Sequence, residues 1–248
     1  MVKKLGGGAF GTVYLVRSRE SQQLLAAKHQ RVKHEKEMRH VRREVEILEL
    51  LDIHDNPDIV SLAGYYESPL ESVILTEYLE GGELFDRIAS RDFDLTEDKC
   101  RGFMRQVMTG LSYIHQRGVI HLDLKPNNIV CVTRDEGDSR VKIIDFGFSI
   151  QVQENQKLKV FCGTSSYMAP EIHRPIAQYD SSVDMWALGV VACLLLSGRS
   201  PFAAADPKEL KRRILHEPPD IEGEAWAGGS DAAKEFCRSL RQKKPAER

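Results

Sequence analysis

A chain of 248 residues, 42% of them hydrophobic, can bury a sizeable core, either as one large domain or as two lobes sharing a cleft. The 35 basic and 37 acidic residues nearly cancel, leaving a formal charge of −2, which argues against a nucleic-acid binder held mainly by counterion release. The five cysteines, at 100, 131, 162, 193 and 237, have no CxxC or CxxxC spacing, so neither a zinc site nor a disulfide framework is expected, and a reducing cytoplasmic setting, with the nucleus as alternative, is. No membrane association is expected either. The most apolar stretch, Ala187 to Ser197, is too short to span a bilayer and reads as a buried helix, and Met1-Val2-Lys3-Lys4 has no apolar signal region behind it.

Along the chain, β-prone Val13 to Val16 follows a glycine turn, and Leu24 to Lys28 reads as the next strand after a polar hairpin. From about Lys33 to Leu51, Val41, Val45, Leu48 and Leu51 recur at three- and four-residue spacing among charges, which predicts a one-faced helix. Val60 to Leu62 and Val73 to Tyr78 read as two more strands, and Glu80-Gly81-Gly82 as a flexible break between lobes. Helices are expected over Leu84 to Ile88 and Thr96 to Gln116, the second capped by Thr96 at Lys99 and ending at Gly118. Short strands around Ile129 to Val132 and Val141 to Ile144 flank a polar turn, and the remainder is mostly helical, with no internal repeat.

The chemistry concentrates in His121-Leu122-Asp123-Leu124-Lys125-Pro126-Asn127-Asn128-Ile129 and, downstream, Asp145-Phe146-Gly147. Asp123 offers a carboxylate that can orient a hydroxyl and accept its proton, and Lys125 a charge for a transferring γ-phosphate. Asn128 and Asp145 supply the oxygen ligands that Mg²⁺ prefers. Gly6, Gly8, Gly11 and Val13 fit G-x-G-x-x-G-x-V, where missing side chains let backbone amides approach phosphates and Val13 covers an adenine face. Alone this could be a glycine-rich hairpin; a Rossmann turn would require a helix directly after it. Lys28, in an apolar strand, needs a partner for its charge, and phosphate oxygens on one side with Glu44 on the other would provide it. The plainer reading leaves Glu44 on a solvated helix face beside Arg39 or Lys36, where Glu46 is also expected.

These motifs, with Gly163-Thr164 through Ala169-Pro170-Glu171 and Asp184-Met185-Trp186, resemble the eukaryotic serine/threonine protein kinases over nearly the whole chain. The resemblance implies an α+β, two-lobed kinase fold: a small β-rich N-lobe with one helix, residues 1–79, its first strand truncated, and a larger, mostly helical C-lobe, residues 80–248, lacking the last helix. It implies an ATP- and Mg²⁺-dependent kinase of protein Ser/Thr hydroxyls, the alternative being a pseudokinase scaffold. Catalytic roles fall on Asp123, Lys125, Lys28 and Glu44, and metal ligation on Asn128 and Asp145. The nucleotide falls to Gly6, Gly8, Gly11, Val13, Ala26, Lys28, Val130, Asn128 and Asp145, to Glu77 and Leu79 through their backbone, with Thr76 behind, and to Glu83 at the ribose. Leu48, Leu62, His121 and Phe146 should stack between the lobes, and Glu171 should pair with Arg248.

Finer details, His121-Leu122-Asp123 in place of H-R-D and Leu194 to Phe202, resemble the calcium/calmodulin-dependent group near the death-associated and myosin-light-chain kinases. Calmodulin is then an implied partner, acting through a segment absent from this chain. Leu122 cannot grip a loop phosphate, and 150–163 contains no Ser, Thr or Tyr, so activity without activation-loop phosphorylation is expected. Asn127 replaces a substrate-facing glutamate, leaving a modest basic preference that rests on Glu83. Cys162 is expected to be a partly buried packing residue.

Overall fold

The structure, a computed structural model, describes residues 1–8, 11–52, 56–90, 95–176, 178–226 and 228–248. Its N-terminal part is an antiparallel five-stranded sheet of β1 (Lys3–Gly8), β2 (Gly11–Arg17), β3 (Leu24–Arg31), β4 (Leu62–Glu67) and β5 (Glu71–Glu77), in the order β1-β2-β3-β5-β4. β1 pairs with β2 from Lys3 to Gly8 and is as long as β4. The strand expected at Val60 to Leu62 begins only at Leu62, because Ile59 and Val60 are used elsewhere: Ile59 bridges Ile143, and the Val60 amide donates to the Ile143 carbonyl. Against the sheet lies α1 (Glu35–Asp52), burying Met38, Val41, Val45, Ile47, Leu48 and Leu51 along the stripe its periodicity predicts.

The helical part begins with α2 (Leu84–Ala89) and α3 (Glu97–Gln116), whose N-cap Thr96 accepts from the Lys99 amide; Gly118, at φ 69°, turns the chain back. β6 (Val119–Ile120) pairs with β9 (Ile150–Gln151), and β7 (Ile129–Cys131) with β8 (Val141–Ile143). The apolar run is the buried α4 (Ser182–Ser197), closed by left-handed Gly198, with α5 (Pro207–His216) and α6 (Asp231–Leu240) following. One core cluster spans α1, α3, α4 and α6; a second surrounds Trp186, whose ring stacks on Phe202 at 5.5 Å. No helix of the described residues is long and apolar enough to cross a membrane.

Candidate active site

A cleft of about 700 Å³ lies between the sheet and the helical part, lined by Gly6, Gly8, Gly11, Val13, Ala26, Lys28, Glu44, Thr76, Glu77, Leu79, Glu83, Lys125, Asn128, Val130 and Asp145. The three motif glycines are there for different reasons. At Gly11, φ is 124° and an added Cβ would sit 2.2 Å from the His29 carbonyl oxygen, so β3 itself demands glycine. Among the described residues, a Cβ on Gly6 or Gly8 would meet nothing within 4 Å. Protein packing does not require those two, whereas a phosphate chain approaching the backbone would.

Alternation along β3 turns Ala26 and Lys28 to the same face, and the Lys28 ammonium lies 2.7 Å from Glu44 Oε1 and 2.9 Å from Asp145 Oδ1. Glu44 is therefore not one of the solvated charges of α1; it is 5% exposed, whereas Glu46 faces water. Burial alone would lower the Lys28 pKa, but Glu44 and Asp145 together outweigh it and raise it. Burial would raise the Asp145 carboxyl, yet Lys28 holds it below the ordinary value; for Glu44 burial prevails and the carboxyl is pushed up. Gly147 makes room for this triad, since a Cβ there would fall 3.3 Å from atoms of all three side chains.

Across the cleft, Asp123, 3% exposed, accepts from Thr164 Oγ1 at 2.7 Å and from Lys125 Nζ at 2.6 Å, and Lys125 also reaches Thr164 Oγ1 at 3.1 Å. Asn128 Nδ2 donates to the Asp123 carbonyl at 2.9 Å and carboxylate at 3.2 Å, which commits the amide nitrogen to Asp123 and leaves Asn128 Oδ1 as an acceptor. With the Asp145 carboxylate, that gives two oxygen donors, a set that fits a hard divalent cation. Two backbone positions at the site are strained: Leu122, on the loop carrying Asp123, has φ 67° and Asp145, after β8, φ 60°, conformations costing about 1–3 kcal/mol each outside glycine. Buried Asp184 of α4 holds the first of them, accepting from the His121 amide at 2.8 Å, the Leu122 amide at 2.9 Å and His115 Nε2 at 2.8 Å.

The protein kinase domain family matches residues 1–248 of this chain. The chain belongs to that family. Among similar proteins, myosin light chain kinase family member 4 of Homo sapiens is 40% identical over 239 residues, 95% of this chain and 59% of that protein. Smooth-muscle myosin light chain kinase of Gallus gallus is 36% identical over 243 residues, 97% of this chain and 12% of that protein. The solved twitchin kinase region from C. elegans superposes with a TM-score of 0.89 at 35% identity, covering 99% of this chain and 42% of that one. The chain thus spans about three fifths or less of these relatives. They support serine/threonine kinase activity and the calcium/calmodulin-dependent group, and the intact Lys28, Asp123, Asn128 and Asp145 set gives nothing to the pseudokinase alternative.

Every residue assigned to the site from sequence lines the cleft except Asp123, which sits behind its bonding partners Lys125 and Thr164. His121 meets Phe146 edge-on, ring centroids 5.1 Å apart, and Leu48, Phe146 and half-buried Leu62 share one core cluster. Arg248 grips Glu171 through two contacts of 2.6 and 2.7 Å. The Glu77 side chain, by contrast, is taken up by structure: Lys142 Nζ lies 2.6 Å away and the Ser61 amide donates to it at 2.8 Å. Asn127 Nδ2 donates to Glu83 at 2.5 Å, tying up part of the carboxylate expected to face substrate. Sequence reading missed Thr164 as a direct partner of Asp123; the signal available was the Gly163-Thr164 pair itself, where Gly163, at φ 99°, packs its Cα onto the Leu122 carbonyl and so delivers Thr164 to the catalytic loop.

Proposed function

We propose that this kinase domain transfers the γ-phosphate of ATP to Ser/Thr hydroxyls of protein substrates. The observation that carries the reading is one cleft with the Lys28–Glu44–Asp145 triad on one wall and, on the other, Lys125 and Thr164, which both bond the Asp123 carboxylate directly behind them. Asp123 orients the incoming hydroxyl and takes its proton, Lys125 offsets charge on the transferring group, and Lys28, fixed by Glu44, steadies the nucleotide phosphates. Asn128 Oδ1 and the Asp145 carboxylate would hold Mg²⁺, which when bound neutralises phosphate charge. Gly6 and Gly8 offer backbone to the phosphates, Val13, Ala26 and Val130 enclose the base, and Glu77 and Leu79 present backbone groups to it. The lobes then divide at 79/80.

The test is transfer to a myosin-light-chain-type peptide and a generic basic peptide, with and without Mg²⁺. Transfer abolished by Asp123→Asn supports the reading; metal-independent transfer, or none by the wild type under any condition, overturns it.

The reading extends to activity without activation-loop phosphorylation. Its support is that Lys28 and Glu44 are already in contact while the segment is held by the β6–β9 pair, the Leu158–Tyr179 bridge and the Lys157–Asp180 ion pair. An unphosphorylated preparation that gains most of its activity only after treatment with an upstream kinase would refute this. Glu83, shared with Asn127, supports only a modest basic preference upstream of the acceptor, to be read from a peptide library. Kinship with myosin light chain kinases puts calmodulin forward as a regulator acting outside residues 1–248, and the location proposed is cytoplasmic.

A further inference from the structure

The stretch that joins β5 to the helical part is tied at both ends to one small sheet, the β7–β8 pair. At its far end the Glu80 and Gly81 amides donate to the Val132 and Cys131 carbonyls, both at 3.1 Å, and the Cys131 amide donates to the Gly82 carbonyl at 2.9 Å, so 80–82 run along β7. At its near end, where β5 stops at Glu77, a side chain makes the tie. Lys142 of β8 reaches Glu77 Oε1 at 2.6 Å, and the same oxygen accepts the Ser61 amide at 2.8 Å. The Ser61 carbonyl in turn accepts the Glu77 amide at 3.1 Å. Between the two anchors stand Tyr78 and Leu79, which line the cleft and whose amides have no hydrogen-bond partner among the described residues. Leu79 is buried, so its amide calls for a partner that the nucleotide base can supply.

Lys142 does not line the cleft. Its register partner Val130 does, as do Ile144 and Asp145 farther along its own strand direction and Thr76 to Leu79 opposite. The Lys142 side chain is 14% exposed and that of Glu77 26%, so water screens their attraction less than that of the surface pairs. Buried Asp58 feels the same ammonium: burial pushes its carboxyl up, and Lys142 opposes the rise. The segment that carries Asp58 and Ser61 is itself laid on β8, the Ile143 amide donating to the Asp58 carbonyl at 2.8 Å and the Val60 amide to the Ile143 carbonyl at 3.0 Å. Both partners of the Glu77 carboxylate therefore lead back to β8.

We propose that Lys142 is a positioning residue for base selection: through Glu77 it fixes the Tyr78–Leu79 backbone, and with it the hydrogen bonds that separate adenine from a purine bearing an oxygen in place of the amine. The inference rests on the reading that this backbone receives the base of ATP. Adenine offers an amine donor beside a ring-nitrogen acceptor, whereas hypoxanthine offers an oxygen acceptor beside an N–H donor. A backbone held in one place discriminates between them, because the reversed edge leaves buried groups unpaired. Once released from Lys142, Glu77 keeps only the Ser61 amide, and the two-residue bridge can shift to suit either edge. Asp123, Thr164 and Lys125 bond one another and not Lys142, so the transfer step itself should be spared.

The test compares the wild-type domain, Lys142→Met, Glu77→Gln and the double variant, with ATP and with inosine triphosphate, on one peptide in the presence of Mg²⁺. Lys142→Met should raise KM for ATP about ten-fold with kcat within about two-fold, change KM for inosine triphosphate far less, and so narrow the ratio of the two kcat/KM values. Glu77→Gln should do the same, and the double variant should be no worse than either single one, since both act on one contact. A lysine that served stability alone would lower kcat for both nucleotides together by reducing the folded fraction. That result, an unchanged KM for ATP, or additive effects of the two substitutions would each overturn the proposal. If Lys142→Met does not fold, Glu77→Gln, which keeps an oxygen for the Ser61 amide, carries the same expectation. Wild-type transfer from ATP with an unchanged nucleotide ratio in the variants refutes the role of Lys142 alone, whereas absence of wild-type transfer refutes the kinase reading beneath it.

Discussion

Lys28 stands between two acids, and the two ways of breaking that arrangement should differ in stability while agreeing in activity. Lys28→Met removes the only cation the triad holds and leaves Glu44, whose side chain is 6% exposed, as an uncompensated buried charge beside Asp145. Removing one partner of a buried pair costs about 3–5 kcal/mol; Asp145, whose side chain is 30% exposed, lies nearer water, so the lower end applies, about 3 kcal/mol. Glu44→Gln does the reverse. It deletes a carboxylate that burial already disfavours, Lys28 keeps Asp145, and the amide oxygen still accepts, so stability should change by no more than about 1 kcal/mol. Activity should fall in both: Lys28→Met removes the ammonium, and in Glu44→Gln the ammonium is drawn toward Asp145 and away from the phosphates, raising KM for ATP. The pH dependence has a definite sign. The folded-state pKa of Glu44 lies above its unfolded value, and removing Lys28 raises it further, so the folded state binds that proton more tightly. The Lys28→Met deficit is therefore largest near neutral pH and shrinks as pH falls through the raised value. Urea unfolding at about pH 7 and about pH 5, with ATP kinetics on the same preparations, reads both effects. Equal destabilisation by the two variants, or a Lys28→Met deficit that widens in acid, would refute the reasoning.

Thr164→Ala removes the hydroxyl that links Asp123 to Lys125; kcat should drop about ten-fold with KM for ATP little changed, and Thr164→Ser should restore it, as steady-state kinetics would show. Arg248→Met leaves Glu171 buried and unpaired and should cost about 3–5 kcal/mol in urea unfolding, while Glu171→Met/Arg248→Met together should cost less than Arg248→Met alone. For Asp184, burial pushes the carboxyl up, but His115 and His121 outweigh it and hold it below the ordinary value. Its contribution is therefore present above the unfolded pKa and lost as pH falls through the depressed folded one. Asp184→Asn should leave a backbone N–H of His121 or Leu122 without its acceptor, cost about 1–3 kcal/mol near neutral pH, and flatten the acid limb of a Tm-against-pH curve.

What could be read from sequence is what repeats or stands in fixed order. The stripe Val41, Val45, Leu48 and Leu51 gives α1 directly, and Thr96 before Lys99 gives the start of α3, because both signals are local. Asp123, Asn128 and Asp145 are legible as a set because their chemistry needs those side chains in one ordered stretch. The edge strand β4 was not legible: Leu62-Ala63-Gly64-Tyr65-Tyr66-Glu67 is half exposed and broken by glycine, and its register is set by β5 across the sheet. Ile59 and Val60 look more strand-like and are spent on β8 instead.

The strained leucine at 122 ties these threads to regulation. Where an arginine would draw the activation segment to the catalytic loop through a phosphate, this chain uses uncharged contacts and one buried carboxylate. Asp184 accepts the amides of His121 and Leu122, Ser149 Oγ donates to the His121 carbonyl at 3.2 Å, and Gly163 approaches the Leu122 carbonyl so closely that a Cβ would fall 2.3 Å from its oxygen. None of these contacts involves a phosphate. Thr164 then follows Gly163 onto Asp123, so backbone packing delivers its hydroxyl to that carboxylate. The catalytic competence of a loop ordered this way should follow the folding of α4 and the charge of Asp184 rather than the state of a phosphate acceptor, which 150–163 does not contain.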